Sequence, residues 1–225
     1  MPVVISLTTI PSRIEHILPC IDSLMQQGYP VFLWVARRET QRSGKVLEEI
    51  PMAILESGAH ITIVDDRGPI TKLLPALEDG YETIITADDD HTYGVGWANG
   101  LVEAAAEFPG SVVCYRGRIF DETRLYSRSK IIARRSMRAD LVNGVCGALY
   151  KPAFFSDEIF SEWLECPLAD DIVISSHLKH RNIPIQVVPT ECVITRLQVA
   201  YTAPLADINV RQGQNDVGLE RMFWK

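Results

Sequence analysis

Up to residue 92 the chain alternates short apolar runs with stretches of helical spacing, and few architectures accommodate that order. Val3 to Thr8 is a β-branched run bounded by Pro and reads as a buried strand. Ser12 and Glu15 then form a capping box ahead of Ile14, Ile17, Leu18, Ile21 and Leu24, which recur at helical spacing. Pro19 predicts a kink in that helix and Gly28 its end. Val31 to Ala36 reads as a second strand and Arg42 to Leu55 as a second helix. Ile61 to Val64 is a third strand, followed by a polar loop and a helix with Pro69 in its first turn. Glu82 to Ala87 is a fourth, ending at Asp88-Asp89-Asp90. Strands and helices in this order predict an α/β fold with a mixed, mostly parallel sheet flanked by helices. Ligands of such sheets bind beyond the carboxyl ends of the strands, where Thr8-Thr9, Asp65-Asp66 and the acidic triplet fall.

The remainder is less regular. Trp97 to Phe108 reads as a helix and Ser111 to Tyr115 as a strand. Arg116 to Arg138 holds eight Lys/Arg against two acids, a Gly-spaced apolar run covers Val142 to Tyr150, and a helix starts near Asp170. With no internal repeat or linker, one domain of two unequal halves, 1–92 and 93–225, is expected. Its end, Met222-Phe223-Trp224-Lys225, would suit a piece of a longer chain.

A net charge of -7 argues against a nucleic-acid partner. Five scattered cysteines without a CxxC suit reduced thiols in a cytoplasmic protein. The opening MPVVISLTTIPSR does not read as a signal peptide, and no run approaches the ~20 apolar residues of a membrane span.

The acidic triplet carries the chemistry. In extended backbone Asp88 and Asp90 point the same way, and two hard carboxylates beside a diphosphate suit Mg²⁺ or Mn²⁺. A solvated acidic turn is the plain alternative. Together with the segments around it, the triplet resembles the Asp-x-Asp motif of GT-A glycosyltransferases, particularly those related to family 2. The resemblance spans most of the chain. It implies a GT-A (Rossmann-like) domain binding a nucleotide-sugar donor, with a UDP-sugar favoured by family frequency. It implies Mn²⁺ or Mg²⁺ on Asp88 and Asp90, with Asp88 also near the ribose and Asp89 among the donor contacts.

In the same likeness Thr8-Thr9-Ile10-Pro11-Ser12-Arg13 would cradle base and ribose. Asp66 would contact the base, and Arg13 and Lys72 would be cations near the diphosphate. Asn143-Gly144 resembles the wall of the donor-sugar pocket. Asp170-Asp171 resembles the acidic pair at the head of the acceptor-side helix, one of which acts as general base in inverting members; a helix cap is the equal alternative. The half 93–225 would then receive a glycan or glycoconjugate acceptor. Arg37 and Arg38 depart from the pattern, standing where many relatives carry an Asp.

Some retaining enzymes of this fold use a downstream His on the metal, which makes His177 a candidate, although an ordinary helix His is the plainer reading. His91 could support the triplet from behind, with a solvated turn His as the equal alternative. Arg116 to Arg138 could close over a diphosphate or recruit an anionic acceptor, or be a solvated loop. Trp97 and Trp163 suit the core better than a sugar platform.

Three rivals remain. Asp88-x-Asp90-x-Thr92 matches the nucleophile motif of haloacid-dehalogenase-type phosphohydrolases, but there it ends the first strand, whereas three strand–helix units precede it here. A sugar-1-phosphate nucleotidyltransferase would open with a Gly-rich phosphate loop, which Ile10 to Arg13 lacks. A non-catalytic glycan-binding domain would not need the acidic triplet.

Overall fold

In a computed structural model, residues 3–201, 205, 209–210 and 212–225 are described. β1 (Val3–Thr9) runs parallel to β2 (Val31–Ala36), which pairs in parallel with β3 (His60–Val64). On its other side β1 pairs in parallel with β4 (Thr83–Asp88), so that Thr8 stands level with Asp88. β5 (His91–Tyr93), β6 (Val112–Cys114), β7 (Gly117–Ile119), β8 (Lys130–Ile132), β9 (Met137–Ala139), β10 (Leu141–Val142), β11 (Ala148–Tyr150), β12 (Ile185–Val187) and β13 (Ile194–Arg196) follow. The main sheet runs β3-β2-β1-β4-β11-β6-β12-β9, with β11 antiparallel to both neighbours and β9 antiparallel to β12. The mixed, mostly parallel α/β architecture is the one expected.

Helices cover both faces because the strands are apolar on both. Ile5, Leu7, Leu33 and Val35 face one way, onto Ile21 and Leu24 of α1 (Leu18–Met25). Val4, Trp34 and Ile84 face the other, with Leu73, Leu74, Val173 and Ile174. Each such fully buried side chain contributes about 1.5–3 kcal/mol relative to exposure. Further α-helices are α2 (Met52–Leu55), α3 (Leu74–Glu78), α4 (Trp97–Glu107), α5 (Ile159–Glu162), α6 (Asp170–His180) and α7 (Gln214–Gly218). Among the described residues no helix is long and apolar enough to cross a membrane.

Two local expectations are corrected. Ser12 and Glu15 do not cap a helix: a 3-10 turn covers Ile14–His16, and α1 begins at Leu18 with Pro19 in its first turn. Pro19 therefore causes no kink, since its missing N–H falls where no helical bond is due. Ser12 gives its backbone N–H to Glu39 Oε1 at 2.5 Å instead.

Arg42 to Leu55 is likewise mostly not helical; only Met52–Leu55 is. Glu39 also accepts from Ser43 Oγ at 2.6 Å, and Leu47 N–H bonds Arg37 O at 2.9 Å. With Gly44 at φ +76 the segment closes into a loop that a helix could not share.

Candidate active site

β4 ends at Asp88, and the turn into β5 carries Asp89 and Asp90. Asp89 faces inward: its Oδ2 accepts from Thr9 Oγ1 at 2.6 Å, and its Oδ1 meets Arg13 Nη1 at 2.7 Å. Asp88 and Asp90 remain partly exposed on either side of it. Asp90 Oδ1 meets His91 Nδ1 at 2.5 Å, and Arg13 Nη1 stands 3.8 Å from Oδ2. Burial alone would raise the Asp90 pKa, but the bond and charge of His91, with Arg13 and Arg196, hold it below the usual carboxylate range. His91 thus supports the triplet from behind.

Asp88 Oδ1 lies 2.6 Å from Lys72 Nζ, and the same ammonium lies 2.8 Å from Asp170 Oδ2. Burial disfavours a charged lysine, yet Asp170 and Asp88 outweigh it and hold the Lys72 pKa well above its usual value. Lys72 follows from a tight turn: Gly68, at φ +75, has no room for a side chain because a Cβ would stand 2.0 Å from Pro167 O. That approach ties the loop after β3 to the segment entering α6.

Asp170 and Asp171 open α6. Asp171 Oδ2 accepts from Asn143 Nδ2 at 2.8 Å and Oδ1 from Gly144 N–H at 2.9 Å. Burial and the charge of Asp170 dominate over Lys72 and these two donors, and raise the Asp171 pKa to about 7. A Cβ on Gly144 would stand 3.1 Å from Asp171 Oδ1 and 3.5 Å from Lys72 Nζ, so the glycine permits this close approach.

Apart from Gly144, which stands behind Asp171, and His177, all the predicted site residues line one cavity of ≈ 270 Å³ at the carboxyl end of the sheet. Within it Thr8 Oγ1 bonds Trp34 O at 3.0 Å. Asp66 accepts from Gly68 N–H at 2.7 Å and Gln41 N–H at 3.2 Å, and so orders its own loop while facing the cavity.

His177 is corrected. It is 3% exposed, with Nδ1 2.7 Å from Glu162 Oε2 and Nε2 accepting from Ser156 N–H at 3.1 Å, and it does not line the cavity. Both ring nitrogens are committed to the packing of α5 on α6. Trp97 is fully buried and donates to Cys146 O at 2.7 Å, as a core residue; Trp163 packs against the core as well. From Arg116 to Arg138 only Tyr126 lines the cavity.

Arg42 and Arg196 line the cavity without having been anticipated, as do Leu205, Asn209, Val210 and Asn215. Arg42 stood inside a supposed helix, and Arg196 lies on a three-residue strand far along the chain, so neither had a local signal. Glu39, one residue past the anomalous Arg37-Arg38, is the buried acid that follows β2. An acid so close to a strand end was the available clue.

No family model matches the chain, and no curated protein matches it. Among solved structures, that of TarS from S. aureus, a glycosyltransferase, superposes with a TM-score of 0.53 at 13% sequence identity. The match covers 88% of this chain and 37% of TarS, so the chain spans well under half of that protein's length. The likeness is one of fold: this chain has a GT-A-like fold.

Proposed function

We propose that the chain is a metal-dependent glycosyltransferase, related to family 2, moving a sugar from a nucleotide donor, preferably a UDP-sugar, to a glycan or glycoconjugate. One observation carries the reading: a single buried ammonium, Lys72, joins the Asp-x-Asp carboxylate Asp88 to Asp170 at the head of α6, and both line one cavity. A donor held by one wall and an acceptor entering by the other would meet there. Fold likeness to a glycosyltransferase supports the reaction class.

Thr8, Thr9 and Asp66 would flank base and ribose, and Arg13, Arg42 and Lys72 supply positive charge for the phosphates. The donor set suits Mn²⁺ or Mg²⁺: Asp89 is turned inward, which leaves the two hard carboxylates Asp88 and Asp90 partly exposed on the cavity wall. Among the described residues no group of three or more His, Cys, Asp or Glu is arranged around a metal, so a diphosphate would complete the coordination. When bound, the ion supplies charge neutralisation for the departing nucleoside diphosphate.

In the transfer, the bond from the sugar's anomeric carbon to the diphosphate breaks, and its electron pair leaves with the diphosphate. The acceptor oxygen bonds that carbon and gives up its proton. Asp171 takes it, since a carboxylate with a pKa of about 7 is matched to proton removal near neutrality. Asp170, paired with Lys72, orients the acceptor side.

Calorimetric titration of UDP, GDP and dTDP, with and without Mn²⁺, tests the reading. One nucleotide should bind only with metal, and not to Asp90→Ala. No nucleotide binding under any condition would sink it and turn attention to phosphatase activity, with Asp88→Asn as the control.

A further inference from the structure

From Arg124 to Arg138 the chain carries six Lys/Arg and no acid, within a protein of net charge -7. All six side chains, at Arg124, Arg128, Lys130, Arg134, Arg135 and Arg138, are exposed. Among the described residues no carboxylate lies within ion-pair distance of any of them. Exposed cations in an acidic protein ordinarily settle near its carboxylates. Asp121 feels the charges of Arg128 and Lys130 and offsets part of this gathering of like charge, and an external anion would relieve the remaining repulsion.

The segment is anchored where the chemistry is. Tyr126 lines the catalytic cavity, its N–H donates to Asp216 Oδ1 at 2.6 Å, and the Arg118 guanidinium lies 4.1 Å over its ring. β8 pairs with β7, and β7 with β10, which leads directly into Asn143 and Gly144, the two partners of Asp171. The basic ribbon therefore leaves the cavity from its acceptor wall.

We propose that residues 124–138 form a binding strip for a polyanionic glycan acceptor, a chain bearing phosphate or carboxylate groups that reaches the cavity past Tyr126. This rests on the glycosyl-transfer reading above. A flexible glycan can follow a local basic strip on an otherwise acidic protein, whereas an anionic membrane would present its charge to the acidic surroundings as well.

The test measures binding of fluorescent oligogalacturonate, phosphorylated dextran, neutral dextran and phosphatidylglycerol vesicles to wild type and to R134Q/R135Q/R138Q. Nucleotide binding is measured in parallel. An anionic glycan should bind wild type, lose at least roughly tenfold in the variant, and weaken between about 50 and about 200 mM salt, as contacts by several cations do. Nucleotide binding should be the same in both proteins. The stronger of the two anionic glycans names the charged group. Equal binding by the variant, equal binding of neutral dextran, or retention on vesicles without retention of glycans would each overturn the strip. Arginine-dependent glycan binding by a protein that binds no nucleotide would uphold the strip and remove the transferase reading alone.

Discussion

After β4, Asp89 meets Arg13 and Asp90 meets His91, whereas at the head of α6 Asp171 meets a neutral amide and a backbone N–H. The residue type is the same and the outcome opposite. At Asp90 burial is outweighed by the bond to His91 and by nearby cations, which hold it below the ordinary carboxylate range, while burial and the neighbouring charge of Asp170 push Asp171 up to about 7; Asp88 is raised too, burial there outweighing Lys72. A permanently ionised carboxylate suits a cation, and one poised near neutrality suits a proton. Lys72 stands between the two segments and touches both.

The largest effect that could break this contrast is on turnover. Asp171→Asn should lower kcat by about 10²–10⁴-fold, the usual worth of a general base, while nucleotide binding is unchanged. Transfer by wild type should rise with pH through about 7, because the base acts deprotonated, and the variant should lack that rise. An unchanged pH profile in Asp171→Asn would assign the proton to another group.

The same shift bears on stability. A raised carboxylate pKa means the folded state favours the proton, so the contribution is fully present at acid pH and is lost as pH rises through about 7. Asp171→Asn should therefore narrow the difference in Tm between about pH 5 and about pH 8. An unaltered difference would mean that Asp171 titrates normally.

Next in size is the buried pair at Asp89. Arg13→Met removes the guanidinium bonded to the buried Asp89, leaving it Thr9 and the charge of Arg42, and should cost up to about 3–5 kcal/mol in urea denaturation, the range for breaking a buried pair. A loss below about 1 kcal/mol would show that the cation is dispensable there. His177→Ala should cost about 1–3 kcal/mol through its unpaired neighbours and leave the metal dependence of transfer untouched. A changed metal dependence would return His177 to the site. Smallest is Gly144→Ala, whose methyl would press on Asp171 Oδ1; a roughly two- to tenfold fall in kcat with little change in KM is expected from so small a displacement. No change at all would mean that the Gly144 contact does not position the base.

Local pattern made the strand ends readable. Buried parallel strands are apolar throughout, so their ends are marked by the first polar residues, and Thr8, Thr9 and Asp88 were found that way. Arg42 was hidden because the helical spacing of its segment was overruled by two hydrogen bonds to Glu39, a contact that no periodicity encodes. His177 misled for the opposite reason. Its spacing from Asp171 is compatible with a shared site, but on a helix buried nearly all round it faces α5 instead. Arg196 reaches the cavity only because β13 pairs with β5.

The amino-acid order by itself determined the α/β architecture and the strand ends at which polar residues collect, because both follow from local apolar spacing. Tertiary structure alone decided that Lys72 would stand between Asp88 and Asp170, and that Asp171 would be left with neutral partners. Those relations depend on packing between segments far apart in the chain, and such packing sets the electrostatic surroundings of each carboxylate.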